Sequence, residues 1–240
     1  MIVVILLSLI YIVLPFLINK QNADSLLSGY SNMNEEEKAN FDLEGYLLFF
    51  KKYFIFNGIF QMLIGLVVYY CIDQDSSIIA VVNWMLLSLV VFTFIGQRFH
   101  KVPNRKQKRM VWLGIIILVL TFVFFNIDLW YTYKDNEFVV KSNAIEITGK
   151  SGIGIQLSDI KSVNLVNSLP KLRGKRHGSA LEHIYKGKFN TQNNDVVRLI
   201  INDVNKLPYL EIITIHGDKI YYNSKTKPSE IIVEELGKVL

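Results

Sequence analysis

The sequence predicts a membrane α-helical protein, with four transmembrane helices, followed by a small, mostly-β domain that ends in a helix. Two observations lead there. Four stretches lack Asp, Glu, Lys, Arg and His for long enough to cross a hydrocarbon core, which takes roughly 17–25 helical residues. Beyond Asn136 the pattern switches to short runs rich in Val, Ile and Tyr, separated by turn residues. The overall hydrophobic content of 51% hides this division, because the apolar residues are concentrated in the first half of the chain.

The spans are expected at about 1–19, 53–72, 76–97 and 110–127. The first has neither a basic leader nor a small-residue cleavage pattern, so it reads as an uncleaved helix bent at Pro15. Tyr53, Tyr69, Tyr70, Trp112, Trp130, Tyr131 and Tyr133 fall where membrane interfaces should lie. Without ionisable residues at membrane depth, transport is not expected. Asn57, Gln61 and Asn83 are expected to hydrogen-bond between helices. The single cysteine, Cys71, lies in an apolar run, and no Cys/His metal spacing exists. No metal or cofactor is expected.

Orientation follows from Lys and Arg in the short loops. Lys20, Lys38, Lys51 and Lys52 follow the first span, and Arg98, Lys101, Arg105, Lys106, Lys108 and Arg109 follow the third. The other side has only Lys134, Lys141 and Lys150 near the membrane. Both basic loops are therefore expected in the cytoplasm, with the N-terminus and everything after Tyr131 outside. The cluster at 98–109 supplies much of the net charge of +5. It reads as a topology marker that also faces anionic lipid heads. A short tethered loop offers no fold or aromatic platform for nucleic acid, and none is expected as a partner.

In the first loop, Asn34 ahead of Glu35, Glu36 and Glu37 predicts a helix start with an Asn N-cap and Glu at N3. The acids are consecutive and lack the alternating spacing of a calcium loop. Leu26, Gly29, Tyr30, Met33, Glu36, Glu37, Lys38 and Asp42 form a Leu-x-x-Gly-Tyr motif followed by a Glu-Glu-Lys helix. In this the segment from residue 1 to 97 resembles a family of small bacterial membrane proteins of unknown function. The resemblance implies a multi-pass protein of the bacterial cytoplasmic (inner) membrane and supplies no activity.

In the second half, strands are expected at 138–140, 144–148, 154–157, 163–166, 196–202, 210–215 and 219–223, with a hairpin turn at His216-Gly217-Asp218. A closing helix carries Pro228 in its first turn and an apolar face of Ile231, Ile232, Leu236, Val239 and Leu240. Seven strands and a helix predict a small antiparallel barrel or sandwich. Ile155–Ile160, Gly174 through Gly178, Gly187–Phe189 and the Tyr221–Leu240 strand and helix make residues 131–240 resemble a bacterial pleckstrin-homology-like (PH-like) domain. The fold implies no particular ligand.

Between the fourth and fifth expected strands lies a basic loop, 168–189, where Lys171, Arg173, Lys175, Arg176 and His177 crowd around Gly174 and Gly178. These are the candidate anion- or partner-binding residues. Neither His177 nor His183 has the partners of a catalytic set. Gly152-Ile153-Gly154 lacks the third glycine and helix of a dinucleotide fingerprint. The expected protein is non-enzymatic and presents its PH-like domain to another membrane or envelope protein, or to an anionic ligand, as an envelope scaffold. Its other partners are the lipid bilayer and, as a further option, a second copy of itself. The alternative is an immunity or tolerance protein against a membrane-active toxin. A reporter fused after Leu240 and active only outside the cytoplasm should give signal. Signal from a cytoplasm-only reporter there would reverse the expected orientation.

Overall fold

A computed structural model describes residues 1–102 and 105–238, with the backbone alone for Ser28, Lys106 and Gln107. The chain divides into two compact units, Met1–Phe125 and Asn126–Leu240.

The first unit opens with α1 (Ile2–Val13), which ends in a 3₁₀ turn at Leu14–Phe16 around Pro15. Three short helices follow, α2 (Ala23–Leu26), α3 (Ser28–Ser31) and α4 (Glu35–Ala39). Then come α5 (Leu43–Cys71), α6 (Gln74–Gly96) and α7 (Arg105–Tyr133). The segments Leu43–Cys71, Gln74–Phe99 and Lys108–Tyr133 are long and apolar enough to cross a membrane. The Ile2–Phe16 segment is shorter; at about 1.5 Å per residue it reaches roughly 22 Å.

Asp42 and Asp73 cap α5 and α6 by accepting from Gly45 N (3.0 Å) and Ser76 N (2.7 Å). Helix α5 thus starts well before its charge-free stretch, because polarity marks where lipid contact ends and not where helical hydrogen bonding ends. The expected capping box at α4 is present: Glu37 N donates to Asn34 Oδ1 (2.8 Å) and Asn34 N to Glu37 Oε2 (3.0 Å).

Small residues let α1 lie close on α5. A Cβ at Gly58 would crowd Ile12, and one at Gly65 would overlap Val4. Of the polar residues expected to bridge helices, Gln61 does so, donating to Ser8 Oγ at 3.4 Å. Asn57 Nδ2 and Asn83 Nδ2 donate to Tyr53 O and Ile79 O, four residues back on their own helices. A hydrogen-bonding side chain in an apolar setting takes the nearest free carbonyl lone pair.

The second unit has two sheets. Strands β1 (Phe138–Val140), β2 (Ala144–Ile147) and β3 (Ile153–Gln156) form an antiparallel meander. Strands β4 (Ile160–Val166), β5 (Leu172–Ala180), β6 (Tyr185–Thr191), β7 (Val196–Ile201), β8 (Tyr209–Thr214) and β9 (Lys219–Asn223) form a six-stranded sheet in the order β4-β8-β9-β7-β6-β5. Two features depart from the expected antiparallel, seven-stranded arrangement. The β7–β9 pair is parallel, and the basic loop 168–189 is a hairpin of two strands, β5 and β6.

Strand alternation in β7, β8 and β9 divides the apolar side chains between two cores. Ile200, Leu210, Ile212, Ile220 and Tyr222 meet Phe138, Ile145, Ile147 and Ile155 of the small sheet. Phe189, Val197, Leu199, Ile201, Tyr209 and Tyr221 form the other core. Helix α8 (Ser229–Gly237) closes the first core with Ile232 and Leu236. Pro228 is its N-cap and not a residue of its first turn. Ile231, expected on the buried face, is exposed; Val239 and Leu240 lie outside the described residues.

The last turns of α7 are bound into this unit by cations and amides. A helix leaves its final carbonyls without intrahelical donors, and positive charge is favoured there. Lys186 Nζ donates to Lys134 O (2.5 Å) and Lys225 Nζ to Tyr133 O (2.9 Å), while Lys150 Nζ reaches Asp128 Oδ1 (2.5 Å) and Thr132 Oγ1 (2.7 Å). Beyond the helix, the Asp135 carboxylate accepts from Ser224 Oγ (2.6 Å), Lys225 N (3.1 Å) and Thr226 Oγ1 (3.1 Å). Buried Asn136 donates its N–H to Asn202 Oδ1 (3.2 Å), and its carbonyl accepts from Tyr222 Oη (2.6 Å).

Lys186 is fully buried. Burial, reinforced by Lys225 and Lys150 and opposed by Asp135, pushes its pKa down to about 8 from 10.5. The unfolded chain keeps this proton to higher pH than the folded chain does. Stability of the sheet unit should therefore rise as pH climbs from about 8 toward 10.5. Guanidinium midpoints across that window check this: the wild type should show the rise and Lys186→Met should lose it.

Candidate functional site

The five residues singled out in sequence lie at the free edge of the large sheet. Arg173, Lys175, Arg176 and His177 are on β5, Lys171 immediately precedes it, and all five are exposed. Among the described residues, β6 alone pairs with β5. Charged residues are a common means of keeping such an edge from pairing with another chain. Arg173 Nη1 donates to Asn194 Oδ1 at 3.1 Å. The β5–β6 pairing shifts register twice, once between Lys175↔Phe189 and His177↔Lys188. That bulge leaves Arg176 as an extra residue and turns it out of the simple alternation.

The redirected Arg176 lines a pocket of about 420 Å³ with Lys188, Arg198 and Lys219. Ile153, Val196, Val197, Ile220 and Asp218 complete the lining. Lys188 of β6 and Arg198 of β7 are direct cross-strand partners. Like charges in such a pair repel, at a cost of roughly 0.2–1 kcal/mol. Arg198 is half-buried and donates one Nη1 bond to Ser151 O (2.9 Å). Burial lowers its pKa against the pull of Asp218; a guanidinium nevertheless keeps its charge.

Lys219 has a counter-ion in Asp195, at 3.6 Å. Among the described residues, no ion pair joins Arg176, Lys188 or Arg198 to a carboxylate. Three adjacent strands thus bring three cations to one concavity, where Asp218 acts on Arg198 without forming an ion pair. Chemically, this arrangement favours a carboxylate or phosphate oxygen.

Of the sequence candidates, only Arg176 enters this pocket; Lys171 lines a separate one with Thr191 and Asp195. Lys188 lies within the 168–189 stretch but outside its densest basic cluster, Arg198 and Lys219 are isolated in sequence, and the three meet only through strand pairing. The second basic group is split between structures. Arg98 lies in the 3₁₀ turn Gln97–Phe99, Lys101 in the bend after it, and Arg105, Lys106, Lys108 and Arg109 in the first turns of α7. Of the stretch between, Pro103 and Asn104 lie outside the described residues.

The hairpin's shape depends on a facing pair of glycines. Gly178 and Gly187 are register partners with φ of 118° and 152°. A Cβ on either would overlap the opposite strand's backbone, Lys186 O or His177 O. Both positions therefore require glycine.

These features define a helical unit of membrane type, followed in the same chain by a β-sheet unit with a basic concavity. Residues 5–100 match the model of a family described as Domain of unknown function (DUF3784). The match runs from α1 to His100 and does not include the sheet unit. No curated protein and no solved structure matches the chain.

Gly187→Ala should lower the unfolding free energy of the sheet unit by at least ~2 kcal/mol. Gly174→Ala, where an added Cβ meets nothing within 4 Å, should change it by less than ~0.5 kcal/mol. Denaturant titration of both variants checks the contrast.

Proposed function

We propose that the chain is a non-enzymatic, membrane-anchored binding protein of the bacterial inner membrane. Its sheet unit docks an acidic segment of another envelope protein. The observation that carries this reading is the row Arg176, Lys188 and Arg198, three cations from adjacent strands with no carboxylate paired to them among the described residues. A binding site is a sufficient reason to retain a repulsive cross-strand pair. The exposed β5 edge beside it, with Lys171, Arg173, Lys175 and His177, extends the positive surface along an unpaired backbone. A partner strand could add there, its acids meeting the cations.

In this reading α1 is a fourth span and the sheet unit is PH-like. The second point is supported by a small and a larger sheet enclosing a core closed by a terminal helix. The outward placement of the sheet unit does not depend on α1. Basic residues before α5 and after α6 favour the cytoplasm on both counts, and α7 then leads out whether or not α1 crosses.

The test uses the full chain in nanodiscs of zwitterionic lipid and a fluorescent poly-glutamate peptide. Wild type should bind with strong salt dependence. Lys188→Gln with Arg198→Gln should weaken binding at least tenfold, and Lys171→Gln with Lys175→Gln less. Equal binding by wild type and the Lys188/Arg198 variant would remove the pocket from the account.

A further inference from the structure

A second cavity, of about 470 Å³, lies in the helical unit. Leu26, Gly29, Tyr30 and Met33, four residues of the first-loop motif, line it. The start of α5 supplies Tyr46 and Phe50, and the end of α6 supplies Phe92, Thr93 and Gly96. Its back wall is a chain of rings: Tyr30 lies 5.7 Å from Phe41, Phe41 5.3 Å from Tyr46, and Tyr46 6.0 Å from Phe92.

Backbone hydrogen bonds join the segments on either side of the lining residues Phe41 and His100. Asp42 N donates to Phe99 O and Lys101 N to Asn40 O, both at 2.9 Å, around the bridge Phe41↔His100. The His100 ring packs at a tilt against Phe41, with centroids 4.9 Å apart. Burial lowers its pKa against the pull of Glu37, which favours a neutral wall. Next to the lining residues Gln97 and His100 stand Arg98 and Lys101, both exposed. Among the described residues, neither is ion-paired to a carboxylate. Lys38, which stands over Tyr30, is already paired with Asp24 at 2.8 Å.

This is an apolar, aromatic cavity at one end of the candidate spans, with exposed Arg98 and Lys101 adjacent in sequence to two of its lining residues. Helix α5, with 29 residues, measures about 43 Å and exceeds the ~30 Å hydrocarbon core. Its first turns, and the cavity with them, belong at the level of the lipid head groups. A hydrocarbon chain moving from the bilayer into the cavity leaves one apolar phase for another, so burial alone gives no selectivity. Selectivity has to come from the head group.

We propose that this cavity binds a single-chain anionic amphiphile, its chain against Tyr30, Phe41, Tyr46 and Phe92 and its head group at Arg98 and Lys101. This rests on the membrane reading of the helices and is independent of docking by the sheet unit. Cations near a membrane surface are worth about 1 kcal/mol each toward an anion, roughly fivefold per residue.

The test is photo-crosslinking of a diazirine-bearing palmitate to the full chain in zwitterionic nanodiscs, with modified peptides mapped by mass spectrometry. Modification should concentrate in residues 26–33 and 92–101. Unlabelled palmitate should compete at least tenfold better than a C16 alkyl trimethylammonium or a C16 alcohol. Arg98→Gln with Lys101→Gln should weaken labelling more than tenfold. Gly29→Leu, placed where an added Cβ meets nothing within 4 Å, should block the cavity, and Gly29→Ala should not.

Two results would overturn the site. One is labelling spread along the lipid-exposed residues of α7 in proportion to exposure. The other is equal competition by the cationic and anionic amphiphiles on the wild-type chain, which needs no variant to fold. Binding of poly-glutamate, measured on the same sample, reports the sheet unit separately.

Discussion

The exposed carbonyls at the end of α7 set the terms for the sheet unit. A helix that runs into a folded domain brings several acceptors that water can no longer serve. Here Lys186 and Lys225 donate to the last two carbonyls, and Lys150 holds Asp128 and Thr132 one turn back. The cost is a lysine buried completely. It is tolerable because Asp135 lies near and the helix terminus is itself partly negative. Asn136 then hands the chain to a second set of buried amides. Asn202 donates N–H to Asn223 Oδ1 (2.8 Å) and Nδ2 to Asn223 O (2.6 Å), while Asn223 Nδ2 serves Asp203 O and Lys206 O. A buried polar network of this kind fixes one arrangement of the chain, where an apolar contact would accept several; within it only Asn136 Oδ1, among the described residues, lacks a partner.

The basic concavity follows from the same strands. Lys186, which caps α7, and Lys188, which faces the concavity, are two residues apart on β6. Gly187 between them sits against Gly178 in a conformation that excludes side chains. The close approach of β5 and β6 is what allows a bulge to redirect Arg176 beside Lys188. Lys186 and Lys188 lie on the same face of β6, where the first donates to the helix end and the second lines the concavity. The shape of the pocket and the stability of the unit therefore both depend on Gly187.

Much of this architecture is legible in sequence because it depends on local signals. Charge-free stretches mark α5, α6 and α7, and Asn34 with Glu37 marks α4. The turn at Gly217, with φ of 85°, marks the β8–β9 hairpin. The β5–β6 hairpin was hidden because strand signals are apolar alternation, and here the outward residues are Arg, Lys, His and Gly. Arg198 looks like one charge inside an apolar run until β6 brings Lys188 opposite it. The parallel β7–β9 pair joins strands separated by all of β8, and nothing local encodes that. Of the candidate site, sequence gave Arg176 and the edge residues, while the pocket itself depended on register.

The central claim is that the helix end and the amide network act as one structural element. Amide hydrogen exchange on the full chain tests it directly. The N–H groups of Asn136, Asn202 and Lys225, bonded to side-chain acceptors, should be as slow to exchange as that of Ile200 in β7. All of them should accelerate together in Asn223→Ala. Fast exchange at Asn136 and Lys225 while Ile200 stays protected would contradict the account, because the helix end would then be attached only loosely.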